Sequence, residues 1–298
     1  MSYMISIEPY IAPPGNAINL DDWPTDDTGP FGHKSDTSAI RKHNTEQLKK
    51  LQDEFYALNR YSLLLIFQAM DAGGKDSTIK HVMSGVNPQG CQVFSFKKPS
   101  EAELEHDFLW RTYNALPERG RIGIFNRSYY EEVLVAQVHP EIIINQRIPG
   151  VKTPEDITEE FWKHRYESIN QMEQHLCRNG TIILKFFLHL SKEEQKRRFL
   201  KRIHRPDKNW KFTMSDIEER KYWDDYQEAF AKAISHTSTE VAPWHIIPAD
   251  HKWFIRTLVG EIIVQKLLTL ELHYPEVTPV QRANIEKARK TLEEDAAS

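Results

Sequence analysis

Between positions 68 and 81 the sequence reads QAMDAGGKDSTIKH. Gly73 and Gly74 permit a tight backbone path with N–H groups pointing inward, and Lys75 adds a point charge. A helix opening at the lysine would present its positive N-terminus to the same spot. That is the chemistry of a cradle for phosphate. Two positions depart from the usual G-x-x-x-x-G-K-[ST] spacing: Ala69 replaces the first glycine, and Asp76 stands where a Ser or Thr hydroxyl would serve a metal ion. Asp71 adds a second carboxylate inside the loop. Ala72, Gly73, Gly74, Asp76 and Ser77 are therefore the candidate phosphate contacts around Lys75. Taken alone, GGK could be an ordinary turn before a helix. The apolar SLLLIFQ before it and the helical TIKHV after it favour the cradle.

Two further clusters have the same chemistry in view. FNRSYYEE follows a short apolar run and contains Asn126, Arg127, Glu131 and Glu132. In phosphate-loop enzymes an Asp commonly ends that neighbouring strand and helps to hold Mg²⁺. Here the position is Asn126, a neutral and weaker ligand, and a surface turn of mixed charge is the competing reading. The densest charge lies at 192–211, KEEQKRRFLKRIHRPDKNWK, with nine Lys or Arg against three acids. Arg198, Arg202 and Arg205 follow i, i+4, i+7 spacing and so share one helical face, up to a break at Pro206. Lys208 and Lys211 follow. A charge run is often only a solvated face. The stacking of these cations, with acids at the helix start where its dipole favours them, points instead to a basic lid over phosphates.

The elements that must position these clusters alternate. SLLLIFQ, CQVFSF, RIGIFN, TIILKFFLHL and WHIIPA read as five strands, each followed by a loop and mostly by a helical pattern. Helices are expected at 37–58, from Lys75, and at 101–116, 155–178, 191–204, 215–235 and 251–272. Short apolar strands between helices argue for a three-layer α/β fold, a parallel sheet of about five strands covered on both faces. Ligands in such sheets lie at the carboxyl ends of the strands, where the clusters fall. After the fifth strand, Asp250 is placed to cap the last helix, and Lys252 and Arg256 lie one turn apart on it. Residues 1–35, rich in Pro and Gly, form an irregular N-terminal arm; 36–298 form one domain, with a lid at about 192–212.

The 298 residues carry a formal charge of −4, so no global attraction to nucleic acid is expected. The aromatics of the basic segment (Phe199, Trp210, Phe212) form no evident stacking platform for bases. Two cysteines, Cys91 and Cys177, allow at most one bridge, which suits a reducing cytoplasm. No basic-then-apolar leader opens the chain, and the apolar runs are too short to span a bilayer. The histidines form no metal-ligand pattern, and no Ser/His/Asp arrangement is evident.

Six ordered blocks carry a family resemblance: MDAGGKD (70–76), FKKPS…HDFLWR (96–111), FNRSYYEEVLV (125–135), KRRFLKR…PDKNWKF (196–212), DIEERKYWDDYQEAF (216–230) and TSTEVAPWHIIPADHKWFIR (237–256). Over about 35–272 the chain resembles the family-2 polyphosphate kinases. The resemblance implies a phosphate-loop kinase-like fold with a helical lid, Mg²⁺ dependence with Mn²⁺ as substitute, and a homodimer or homotetramer. The implied substrates are inorganic polyphosphate, AMP, ADP and ATP. Carried over, Asp71 resembles the loop aspartate that positions metal or acceptor phosphate, and Lys75 the lysine on the transferring phosphates. Arg127, Arg198 and Arg202, with Lys208 and Lys211, resemble polyanion and transition-state contacts. Lys97, Arg111 and Lys252 are further candidates for phosphate or nucleotide contact. NRSYYEE in place of DRSWYNR resembles the subgroup that accepts both AMP and ADP. It leaves Asp71, Asn126 and Glu131 as the metal set, with Glu131 (or Glu132) making up for Asn126. The rival activities are an ATP-dependent nucleoside-monophosphate kinase, an RNA-binding module and a non-catalytic scaffold.

Overall fold

Five strands form one parallel sheet: β1 (Ser62–Gln68), β2 (Cys91–Ser95), β3 (Ile122–Asn126), β4 (Thr181–His189) and β5 (Trp244–Pro248). Their order across the sheet is β2-β3-β1-β4-β5, as seen in a computed structural model that describes residues 5–295, the side chain of Lys211 apart. β1 is central and every one of its residues is buried. In register, Phe67 lies beside Asn126 of β3 and Phe186 of β4, so the phosphate loop and the NRSYYEE turn leave the sheet side by side.

Alternation along β1 feeds two cores, because successive side chains face opposite ways. Leu63, Leu65 and Phe67 join a cluster with Leu48 and Phe55 of α1 (Ser38–Leu58) and with Ile255, Leu258 and Ile262 of α6 (Lys252–Leu268). Leu64 and Ile66 join the opposite cluster, with Ile169 and Met172 of α3 (Glu159–Arg178) and Phe230 and Ile234 of α5 (Trp223–Thr237). Burying each such side chain contributes about 1.5–3 kcal/mol, so the two layers hold the central strand, and with it the loop at its end, from both sides. The remaining major helices are α2 (Lys75–Val82), α4 (Lys192–Ile203) and α7 (Pro279–Asp295).

The five strands and the three-layer α/β architecture match expectation, and the helices differ in detail. The helix expected over 101–116 is two single turns, Glu101–Leu104 and Trp110–Tyr113. Asp107 accepts from the Leu109 N–H, a local bond that competes with a continuous helix. The pattern at 215–235 is likewise broken by a turn at Arg220–Tyr222 before α5 begins. Beyond the expected elements, α7 opens on Thr278, whose backbone and side chain exchange bonds with Gln281, with Pro279 behind it. Every described residue of α7 is exposed.

The arm lies along the β5 edge. Ile11 bridges His245 antiparallel, and the Ala12 N–H donates to the Trp244 carbonyl at 2.9 Å. Asp250 does not cap α6, as its position suggested. One carboxylate oxygen accepts from the Ser191 N–H and the other from the Thr25 hydroxyl, tying the arm to the start of α4. Among the described residues no helix is long and apolar enough to cross a membrane, and Cys91 and Cys177 are both free thiols.

Candidate active site

The loop at 69–74 turns on two left-handed residues, Ala72 (φ 61°) and Gly74 (φ 106°). Gly73 is required for a different reason. A Cβ there would lie 2.6 Å from the Ala69 Cβ and 2.8 Å from the Met70 carbonyl oxygen. Lys75 follows at the first position of α2, and its ammonium donates to the Ala69 carbonyl at 2.8 Å, folding back into its own loop. Burial, and then the charge of Arg127, lower its pKa to about 8 against the opposing pull of Asp71, Glu131 and Asp76. The Ser77 hydroxyl also turns inward, donating to the Gly74 carbonyl at 3.0 Å.

At the mouth of the loop stands a row of three charges. Arg127, itself left-handed (φ 64°), donates to Asp71 at 2.8 Å and to Glu131 at 2.9 Å. Its side chain is 38% exposed, those of Asp71 and Glu131 31% and 17%, so the row faces the cleft. The two carboxylates, Glu131 foremost, hold the guanidinium firmly protonated. Asn126, the residue before Arg127, donates its amide N–H to Asp76 at 2.8 Å. The acid that replaces the loop's usual hydroxyl thus meets the amide that replaces the neighbouring strand's usual Asp. Glu132 is also accounted for, since it lies buried between Arg111 (3.6 Å) and Arg165 (3.7 Å). Burial raises its pKa and the arginines oppose the rise. Only Glu131 of the pair lies on the cleft.

The helix α4, expected as the lid, is capped by Ser191, which accepts from the Glu194 N–H. Its arginines differ in task despite their shared face. Arg198 is 4% exposed and spends its donors on structure: Glu194 at 2.7 Å, the carbonyls of Ala72 (3.0 Å) and Gly73 (2.9 Å), and those of Ala249 and Asp250. Arg202 reaches Asp216 at 3.7 Å. Asp216 lines the cleft with Asp71, Arg127 and Glu131, and burial and then Asp71 raise its pKa. Arg205 falls outside the helix and pairs with Asp207, and Lys208 is exposed in the 3-10 turn Pro206–Lys211. Lys97 is exposed, and Arg111 ties its backbone carbonyl at 2.7 Å, which places both away from the cleft lining. Lys252 opens α6 near Arg198; burial and then that arginine lower its pKa to about 8.

Residues 32–274 match the family model described as Polyphosphate kinase 2 (PPK2). The chain belongs to the polyphosphate kinase 2 family. It is 52% identical over 278 residues to the ADP-polyphosphate phosphotransferase of Rhodopseudomonas palustris, covering 93% of this chain and 95% of that one. It is 43% identical over 269 residues to the AMP/ADP-polyphosphate phosphotransferase of Meiothermus ruber, covering 90% and 95%. Its fold superposes on the crystal structure of Polyphosphate Kinase 2 from Arthrobacter aurescens TC1 with a TM-score of 0.84, at 36% identity over 94% of this chain and 96% of that one.

The kinase cleft also includes residues the sequence did not single out. Gln195, 1% exposed, donates to the Asp71 carbonyl at 2.9 Å and accepts from Arg220 at 2.6 Å. Arg220, Tyr226 and Phe230 line the far wall with Leu134 and Val135. The DIEERKYW segment, with three acids against two cations, contained Arg220, but nothing in its spacing indicated that the chain turns there. Behind the site, Lys185 of β4 is fully buried and donates to Glu173 (2.6 Å), the Tyr130 hydroxyl (2.9 Å) and the Thr237 carbonyl (2.7 Å). Glu173 in turn accepts from the hydroxyls of Tyr129 and Tyr130, each at 2.7 Å. This satisfied network anchors the turn that carries Arg127 and Glu131.

Proposed function

We propose that the cleft moves phosphoryl groups from inorganic polyphosphate to AMP and to ADP, giving ADP and ATP, and runs in reverse through the same groups. The observation that carries the reading is the Asp71–Arg127–Glu131 row set beside a loop built around Lys75. The names of the relatives from R. palustris and M. ruber support the donor and the acceptors.

In the forward step an oxygen of the acceptor's terminal phosphate attacks the end phosphorus of the chain. The P–O bond to the next unit breaks, and the shortened chain keeps that electron pair. A terminal phosphate has its second pKa near 6, so the acceptor is mostly ionised at neutral pH and needs no strong base. Alignment and charge stabilisation then do the rest. Lys75, drawn off the Ala69 carbonyl by a polyanion, and Arg127 and Arg202 supply positive charge. Arg198 acts through the loop it holds, as a positioning residue.

Asp71 and Glu131 suit a hard divalent cation. No third His, Cys, Asp or Glu completes a ligand group among the described residues, which fits Mg²⁺, an ion that takes one or two carboxylates plus substrate phosphates and water. Bound there, Mg²⁺, or Mn²⁺ in its place, would neutralise phosphate oxygens. Asn126 supports the loop through the bond from its amide nitrogen to Asp76, and its amide oxygen, the atom that would ligate a cation, is not used in that bond. A homodimer or homotetramer working in the cytoplasm belongs to the same proposal; light scattering reads the assembly.

The test is a progress curve with AMP or ADP, polyphosphate and Mg²⁺, resolving both nucleotide products, beside a parallel reaction with ATP as donor to AMP. Sequential appearance of ADP and ATP is expected. Failure with polyphosphate alongside rapid transfer from ATP would turn the reading toward a nucleoside-monophosphate kinase.

A further inference from the structure

On the face formed by α1, α2 and α6 lies a cavity of about 170 Å³ that shares no lining residue with the cleft. Arg41, Asn44, His81, Arg256 and Gly260 line it. Arg41 donates to the Thr37 hydroxyl and, at 3.5 Å, to the Lys34 carbonyl; Arg256 donates to His81 Nε2 at 2.9 Å. Among the described residues neither arginine has a carboxylate partner. Lys34 and Lys80 add to the field at His81, whose pKa is lowered by burial first and then by Arg256, Arg41 and these lysines.

The second observation is an orphan. Asn44 is 5% exposed, yet neither its amide oxygen nor its amide nitrogen has a hydrogen-bond partner, and Arg256 Nε also lacks one. Across from it stands Gly260, close enough that a Cβ there would come into ordinary contact with Asn44 Nδ2, at 3.6 Å. Lys42, also on the lining, has Glu46 at 4.0 Å. Buried polar atoms are nearly always paired, however, so the unpaired donors Asn44 Nδ2 and Arg256 Nε beside two arginines without carboxylate partners mark an anion site.

We propose that this cavity binds a phosphate group, as a second anion site apart from the transfer cleft. His81 lies six residues beyond Lys75 on α2, a rise of about 9 Å. Lys252, one turn before Arg256 on α6, shares its field with Arg198, Lys201 and Arg256, opposed by Glu194. Two sources have this chemistry: far units of a donor chain whose end lies in the cleft, which rests on the polyphosphate reading, or a separate phosphate anion, which does not.

The experiment uses the full chain, the double variant R41Q/R256Q and, independently, N44D, which keeps the side-chain volume and places a carboxylate in the cavity. Calorimetric titration with inorganic phosphate is expected to show one bound anion fewer in each variant than in the wild type. Donor KM is measured for tripolyphosphate and for long-chain polyphosphate. If the source is the chain, KM for the long donor rises roughly tenfold while kcat and the KM for tripolyphosphate stay put, as loss of a charged contact implies. If it is a separate anion, only the phosphate stoichiometry changes. Unchanged stoichiometry together with unchanged KM for both donors overturns the proposal and leaves the cavity to water. Should the wild type use no polyphosphate of any length, the functional reading falls while the phosphate titration still decides the cavity. If one variant does not fold, the other carries the test.

Discussion

Arg198→Lys separates holding the loop from touching the substrate. The change keeps the charge and removes the fork. Arg198 now reaches one carboxylate oxygen, two carbonyls of the phosphate loop and the carbonyls of Ala249 and Asp250, the last at 3.3 Å. A lysine has three N–H groups on a single nitrogen and cannot serve both sides, so about two bonds are lost. Hydrogen bonds from a charged donor contribute about 1.5–3 kcal/mol each, and water reaching the loop recovers part of that. A net loss of about 3 kcal/mol follows, which for a chain of this length lowers Tm by roughly 5 °C. Because the freed carbonyls belong to Ala72 and Gly73, kcat should fall at least about tenfold, since misplacement by a fraction of an ångström is enough. Calorimetry gives Tm and a coupled ATP assay gives kcat. Unchanged Tm with collapsed kcat would refute the reasoning, because the guanidinium would then be acting on the phosphates and not on the loop.

Other outcomes follow from the same contacts. Glu132→Gln strips the counter-charge from two buried arginines and should cost about 3 kcal/mol in a denaturant melt. Glu131→Gln, on the open cleft, should leave the melt nearly unchanged and raise the Mg²⁺ concentration needed for half-maximal rate. Gly73→Ala forces its Cβ against Ala69 and the Met70 carbonyl, so a folded protein with donor kcat/KM reduced by more than about tenfold is expected in steady-state assays. Lys75 is charged below its pKa of about 8, so kcat/KM for the donor should decline as pH rises through 8, and Lys75→Arg should move that limb up. The same depressed pKa means the unfolded chain binds more protons between about pH 8 and 10.4, so this group makes stability rise with pH across that window.

The strands were legible because each is a short, continuous apolar run, and the phosphate loop because its glycines and lysine keep their spacing. What spacing could not tell was the partner. Arg198 and Arg202 sit one turn apart on the same helix, but one meets loop carbonyls and the other Asp216, and those partners come from three other places in the chain. Asp76 and Asn126 each read as a defect when taken singly. Only the pairing of β1 with β3 brings them together, and then each explains the other. Glu131 and Glu132 are neighbours in sequence, and the 3-10 turn at Tyr129–Val133 sends one to the cleft and the other to the core. Gln195 lies in none of the six family blocks and Arg220 lies in one without a spacing that marks it, since their role depends on a contact across 25 residues.

Lys185 and Glu173 bear on how this sequence can drift. Either one, altered alone, strands a charge where no water can reach it, at a cost of about 3–5 kcal/mol, which is a large part of an ordinary margin of stability. A matched apolar pair could fill the same space at little cost, but no single substitution leads there without passing through a crippled intermediate. Lineages that keep the buried lysine should therefore also keep the glutamate and the two tyrosines. The turn bearing Arg127 and Glu131 is then held in place by a contact that natural variation can hardly leave one step at a time.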